Sequence, residues 1–196
     1  PVLKWSVDCF FSVPGLTNMV IVTHKDWICE TTDLLSDSPF KNRIIVTPGG
    51  MRRQDSCRLG LLALNNTSDA PVLIHDAARP WITSHLISRI LNIVRTGHSV
   101  IPIVKATDSI VNIDSGIVQS YSDRSSIGYV QTPQGFPLDL IRTLHTEVYN
   151  AGQGEYTDDG SLALSKGYQV LTVDGESSNK KITHRDDLRD TYRPPD

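Results

Sequence analysis

Met19-Val20-Ile21-Val22-Thr23 and Arg43-Ile44-Ile45-Val46-Thr47 decide how this chain folds. Each is a short, continuous apolar run, which is the pattern of a strand buried on both faces. Between them a polar-to-apolar helical pattern runs through Leu35, so the three segments read as a strand–helix–strand unit. The rhythm continues on both sides. Upstream, Val2, Leu3, Val7, Phe10 and Phe11 share one helical face within residues 2–13. Downstream, Gly49-Gly50 breaks the chain, and Ser56, Leu59, Leu62 and Leu64 mark a helix. A third strand, Pro71-Val-Leu-Ile-His75, leads into Asp76. Thr83 is placed to cap a helix carrying Leu86, Ile87, Ile90 and Val94, which Gly97 closes, and a strand over 99–104 follows. Repeated units of this kind predict an α/β fold with a mostly parallel sheet and helices on both faces.

The pattern changes between residues 107 and 136. Ile110-Val111, a turn at Asp114-Ser115-Gly116, and Ile117-Val118 predict a β-hairpin projecting as an arm over about 107–130. Helices near 138–150 and 158–166, a strand over 168–173 and a last helix from Asp186 complete the chain. No repeat, low-complexity tract or linker interrupts it, and 196 residues suit a single domain over 1–196.

Composition removes several classes. With 39% hydrophobic residues and a net charge of −3, the chain is an ordinary globular protein and no general nucleic-acid coat; a local basic pocket stays open. No apolar run approaches a membrane span, and Pro1 leads straight into the amphipathic segment, without a signal peptide's basic and apolar regions. Cys9, Cys29 and Cys57 are odd in number and outside any CxxC spacing, which predicts reduced thiols in a cytoplasmic compartment and no zinc site. The six histidines are scattered, none spaced four residues from another, and read as packed or solvated side chains.

Three polar clusters fall after strands, where an open α/β sheet binds its ligands. Gly49-Gly50-Met51-Arg52-Arg53 with Ser56 is a glycine turn opening a helix; it reads as a backbone cradle for anions or for base and sugar acceptors, or as a plain strand-to-helix turn. His75-Asp76-Ala77-Ala78-Arg79-Pro80 places a carboxylate at a strand end beside small residues and an arginine. That suits one metal ion bridging phosphate oxygens, and equally a structural Asp–Arg pair. Asn179-Lys180-Lys181-Ile182-Thr183 offers charge for phosphate chemistry, although a lysine pair alone is usually solvated surface. Asp158-Asp159 and Asp186-Asp187 read as acids at helix N-termini, favoured by the dipole, with no metal role.

Taken in order, VLIHDAARPWIT (72–83), DSI (108–110), SDR (122–124), QTPQGF (131–136), TDDGSLA (157–163), SNKKIT (178–183) and DDL (186–188) resemble the methylerythritol-phosphate cytidylyltransferases of the nonmevalonate isoprenoid pathway. The likeness runs from Pro1 to about Leu188. The related ribitol-phosphate cytidylyltransferases share TPQ but usually carry Val where this chain has Ala78.

The resemblance implies a Rossmann-like three-layer α/β/α nucleotidyltransferase fold that transfers CMP from CTP to 2-C-methyl-D-erythritol 4-phosphate and releases pyrophosphate. By matching motif, Asp76 would bind Mg²⁺, with Ala77 and Arg79 lining the substrate site. Arg124 and Lys181 would be the catalytic pair that positions the methylerythritol phosphate, while Ser109 and Thr132 would hydrogen-bond that substrate. Gly50, Met51 and Ser56 would hold the cytidine end. The family's β-arm interlocks with a second subunit, so a homodimer with composite sites is expected. No nucleic-acid or membrane partner is implied, and the location would be the cytoplasm in a bacterium or the plastid in a plant.

Departures from the family pattern are also visible. Ser109 stands where Thr is common, Gly160 where Ala is usual, and Met51 at a position often acidic or small. The family opens with a strand, an AAGxGxR loop and a Pro-Lys pair that clamp the triphosphate; Pro1-Val2-Leu3 aligns just after them. A native segment omitted from the sequence is the simpler account. The alternatives are a ribitol-phosphate-type cytidylyltransferase and a catalytically inactive dimeric homologue.

Overall fold

The computed structural model describes residues 1–64 and 70–188. The order is α1 (Val2–Phe11), β1 (Met19–Thr23), α2 (Ile28–Leu35), β2 (Ile44–Pro48), α3 (Arg53–Ala63), β3 (Pro71–Ile74), α4 (Ser84–Val94) and β4 (Ser99–Lys105). There follow β5 (Ile110–Asp114), β6 (Ile117–Ser122), β7 (Gly128–Val130), β8 (Gln134–Pro137), α5 (Leu138–Asn150), α6 (Asp159–Ser165) and β9 (Val170–Asp174). The helix expected from Asp186 is a single 3-10 turn over Arg185–Leu188 within the described residues.

The strand–helix–strand reading holds. Strand β1 pairs parallel with β2, from Met19 opposite Ile44 to Thr23 opposite Pro48, with α2 as the crossover. Strand β4 pairs parallel with β9, from Ser99 opposite Val170 to Ile103 opposite Asp174. The strands form separate sheets, β1–β2 in one and β3–β8–β4–β7 with β9 in another. In the larger sheet β8 lies antiparallel between β3 and β4, which therefore run in the same direction, as a helical crossover requires.

Two strands escape the periodicity. Gln134–Pro137 is four residues long and contains Gly135, and Gly128–Val130 is only three. Neither is long enough to display an alternation. Strand β8 is nevertheless central: Phe136 is fully buried, and a side chain at Gly135 would run into Val94 and approach Ile90 Cγ2 to 2.7 Å. Glycine there is a packing requirement.

Helix α4 shows how local chemistry sets an element. Thr83 Oγ1 accepts the Leu86 N–H at 3.1 Å, satisfying one of the unpaired donors of the first turn. Its stripe of Leu86, Ile87, Ile90, Leu91 and Val94 packs with Phe10, Val13, Ile82 and Val100. A second core lies around Phe136, Ile141, Leu144, Val148 and Leu162, and a third joins Val7, Ile21 and Leu35 beneath β1 and β2. The β5–β6 hairpin pairs as expected, turning at Ser115 (φ 49°) and Gly116 (φ 81°). No helix among the described residues is long and apolar enough to cross a membrane.

Candidate active site

Asp76 follows β3, and the fold aims its backbone before its side chain. The Asp76 N–H donates to Thr132 Oγ1 at 3.0 Å, and Thr132 Oγ1 lies 3.0 Å from His75 Nδ1. His75 Nε2 faces the Arg79 carbonyl at 3.1 Å, so it must be the protonated nitrogen, leaving Nδ1 to accept from the Thr132 hydroxyl. This tautomer is a neutral imidazole, and desolvation keeps it so by pushing the His75 pKa down to about 4. Thr132 is buried, with its hydroxyl engaged by these two groups.

Three cations converge on the Asp76 carboxylate. Lys181 Nζ lies 3.2 Å from Oδ2, Arg79 Nε 3.8 Å from Oδ2, and Arg53 Nε 3.6 Å from Oδ1. Burial alone would raise the Asp76 pKa, but the Lys181 and Arg53 charges outweigh it and hold the carboxyl below its ordinary range. Arg53 also pairs with Asp159 at 2.8 Å, so three cations face two carboxylates, a local excess of one positive charge that suits an anionic ligand.

Each cation is delivered by different chemistry. Ile182 N–H donates to the Ala78 carbonyl at 2.8 Å, which docks the Lys180-Lys181 segment beside the loop after β3. Arg79 Nη1 donates to the Asn179 carbonyl at 2.9 Å. Asn179 is fully buried and donates from Nδ2 to the Thr132 carbonyl at 2.8 Å. Gln131 Nε2 bonds both the Glu176 and Asn179 carbonyls, at 2.9 and 3.2 Å. Ala77, small and exposed, follows the carboxylate directly in the chain.

Arg53 comes from the glycine turn. Gly49 N–H donates to the Thr23 carbonyl at 2.7 Å, and Gly50 N–H to Ser56 Oγ at 3.1 Å. Ser56 Oγ in turn donates to the Arg52 carbonyl at 3.1 Å, so this hydroxyl staples the turn onto α3. A Cβ on Gly50 would collide with Asp55, and one on Gly49 would meet Ser56 Oγ at 2.7 Å. Both glycines are required by close approach. Met51 is 98% exposed at the tip.

The sequence-identified residues thus divide. Asp76, Ala77, Arg79, Thr132 and Lys181 come together, and Gly50 and Ser56 join them through Arg53. Ser109 and Arg124 lie on the arm: Ser109 is exposed, and Arg124 Nη1 donates to the Thr107 carbonyl at 2.9 Å. No hydrogen bond or ion pair among the described residues links either to Asp76. Sequence reasoning gave Arg53 no individual role and left Gln131 unremarked. It also read Asp159 as a helix-end acid. Asp158 is the N-cap, accepting Ser161 N–H at 2.7 Å, whereas Asp159 is buried and bonded to Arg53 Nη2 and His145 Nε2, each at 2.8 Å. Only the packing of α3 against α5 and α6 brings those three together, and no sequence spacing encodes it.

A family model described as IspD, 2-C-methyl-D-erythritol 4-phosphate cytidylyltransferase, matches residues 1–191. Among curated proteins, the bifunctional enzyme IspD/IspF of Rhodopseudomonas palustris (strain TIE-1) is 35% identical over 189 residues, covering 96% of this chain and 47% of that protein. The chain spans about half the length of the curated relatives it matches. Among solved structures, the 4-diphosphocytidyl-2C-methyl-D-erythritol synthase of Anaerococcus prevotii DSM 20548 superposes with a TM-score of 0.88 at 30% identity, covering 97% of this chain and 83% of that one. The 2-C-methyl-D-erythritol 4-phosphate cytidylyltransferase of Thermus thermophilus gives 0.80 at 27% identity, covering 97% and 86%.

Proposed function

Because the chain belongs to the 2-C-methyl-D-erythritol 4-phosphate cytidylyltransferase family, we propose that it transfers CMP from CTP to 2-C-methyl-D-erythritol 4-phosphate in isoprenoid precursor synthesis. The observation that carries this reading is the Asp76 carboxylate ringed by Lys181, Arg53 and Arg79 beside the Gly49-Gly50 turn.

A phosphate oxygen of the methylerythritol substrate forms a bond to the α-phosphorus of CTP. The bond from that phosphorus to the bridging oxygen breaks, and its electron pair leaves with pyrophosphate. The substrate supplies its own nucleophile, so the protein's task is positioning and charge neutralisation. Lys181, half exposed and joined to Asp76 by an ion pair, is free to swing to the incoming phosphate. Arg79, fixed by Asn179, neutralises charge from a constant position. The Gly50 turn and Ser56 hold the cytidine end, with Met51 at its rim. Thr132 supports substrate recognition by fixing the Asp76 backbone.

The donor set fits Mg²⁺ in its usual nucleotide-dependent mode. Asp76 is the residue that would hold it, as the carboxylate at the centre of the cationic cluster. Magnesium commonly takes one or two carboxylates and completes its shell with substrate phosphates and water. When bound, it would neutralise charge on the triphosphate.

Ser109 and Arg124 act, in this reading, on the site of a second copy of the chain. The arm supports that role: Ile113, Ile117, Val118 and Tyr121 are exposed on it, an apolar surface suited to a homodimer. A cytoplasmic or plastid location accords with the family's pathway.

The test is pyrophosphate release by the full-length protein with CTP and Mg²⁺, comparing methylerythritol phosphate with ribitol phosphate. Turnover of the former at a kcat/KM at least a hundredfold higher is expected. Preference for ribitol phosphate, or turnover of neither, would overturn the reading.

A further inference from the structure

Arg53 divides its guanidinium between two carboxylates. Nη2 donates to Asp159 at 2.8 Å, and Nε lies 3.6 Å from Asp76 Oδ1. Asp159 is itself clamped from the far side by His145 Nε2 at 2.8 Å, and these two side chains are only 1% and 2% exposed. Arg53 is therefore tethered to the protein interior. The other two cations at Asp76 both face Oδ2. Among the ion pairs of the described residues, Arg53 is thus the one that approaches Asp76 from the Oδ1 side.

We propose that Arg53, anchored by the buried Asp159–His145 pair, is a positioning residue that fixes the Asp76 carboxylate through Oδ1 and leaves Oδ2 to the divalent cation that accompanies the nucleotide. The arrangement rests on the cytidylyltransferase reading and adds residues that act through Asp76. When Lys181 moves to substrate, Oδ2 keeps only the longer 3.8 Å approach of Arg79 Nε, while the Arg53 contact persists because Asp159 holds the guanidinium in place. A carboxylate held by one oxygen presents the other in a single orientation, which suits a cation that demands near-ideal octahedral geometry. Outer partners that orient a metal-binding carboxylate typically carry 10- to 100-fold in metal affinity or activity. A lysine could still pair with Asp159 as a point charge, but it lacks the planar fork needed to reach Asp76 as well.

The experiment compares R53K with wild type in the full-length protein, measuring CTP affinity by calorimetry with Mn²⁺ and again with EDTA, alongside kcat and KM. R53K should lose about tenfold or more of the Mn²⁺-dependent gain in CTP affinity. Its affinity in EDTA and its KM for methylerythritol phosphate should stay within about twofold, and kcat should fall. If Arg53 merely competes with the cation for Asp76, its loss would tighten Mn²⁺ binding. If it binds CTP directly, the EDTA affinity would fall equally. Either result overturns the proposal, as does an unchanged Mn²⁺-dependent gain. Should R53K fold poorly, the charge-balanced double variant R53M/D159N replaces it, with the same outcomes required. Wild-type protein that neither binds CTP nor turns over overturns the functional reading and this proposal together. Active wild type with an unaltered R53K overturns this proposal alone.

Discussion

At Asp76 the balance of charge is unusual for a carboxylate only 18% exposed, since three cations crowd it within 3.8 Å. Substituting Asp76→Asn keeps the shape and the backbone bond to Thr132 while removing the charge. Turnover should drop by about two to three orders of magnitude, comparable to losing a preorganised electrostatic group in other enzymes. The loss of three ion pairs is offset by no longer desolvating the carboxylate, so the thermal midpoint should move by only a few degrees. A stopped pyrophosphate assay and a thermal melt check both halves; near-wild-type turnover would refute the proposed metal-binding role. The cysteines offer a separate check on burial. Desolvation first, and the Glu176 charge second, push the Cys9 thiol up to about 11; burial, with the Asp159 charge second, pushes Cys57 up to about 12. Cys29 is exposed. Since the thiolate is the reactive species, only Cys29 of these three should react rapidly with a disulfide reagent at pH 8 in the native protein, and all three after denaturation. The sign for stability follows. The unfolded chain releases these thiol protons near pH 9 while the folded chain keeps them, so their contribution to stability falls as pH rises from about 9 toward 11–12.

Among the elements, those with enough length to express a period were legible in advance. Helix α4 was readable because Leu86, Ile87, Ile90 and Val94 recur on one face behind the Thr83 cap, and β1 and β2 because their apolar runs have no polar interruption. Strand β8 was not, since four residues with a central glycine carry no periodic signal, and what recommends Gly135 is the space between α4 and β3. That contrast is testable. Gly135→Ala places a methyl against Val94, Ile90 and Leu73, with no exposed route for relief. Overpacking at such a site costs about 1–3 kcal/mol. Chemical denaturation should show that loss, and the midpoint should fall by about 2–4 °C per kcal/mol for a protein of this size. Ala at Gly116, where a Cβ meets nothing within 4 Å but φ is +81°, should cost less and only through its turn conformation. The site follows the same division. The clusters that hold Asp76, Arg79 and Lys181 stand out after strands, and the family resemblance singles out these residues within them. Their supports Gln131, Asp159 and His145 could not, because each acts through a partner at least 14 positions away in the chain.

For the whole molecule, the question is where the arm's residues do their work. Within one copy, Arg124 reaches only as far as the Thr107 carbonyl at the base of the arm, while the Asp76 cluster is already furnished with three cations. The hairpin itself exposes Ile113 and Ile117 at 65% and Tyr121 at 76%, more apolar surface than a free two-stranded ribbon retains without cost. A second copy of the chain seated on that surface would bury it and carry Arg124 to a neighbouring site. Two variants separate the consequences. If a second copy sits there as proposed, the double variant I117K/Y121K should break that dimer, read as a halved mass by light scattering, and should lower turnover by about tenfold or more as the proposed Arg124 and Ser109 contributions leave with the arm. Arg124→Ala should leave the mass in solution unchanged yet, on the proposed role, cut kcat/KM for methylerythritol phosphate by about a hundredfold, as loss of a group that orients the attacking phosphate does. Added guanidinium should restore part of that activity, since the missing group is a freely diffusing cation's equal in charge and shape. A monomeric wild type with full turnover would refute the composite site. An Arg124→Ala protein with unchanged kinetics would refute the proposed assignment of Arg124 without bearing on the proposed dimer.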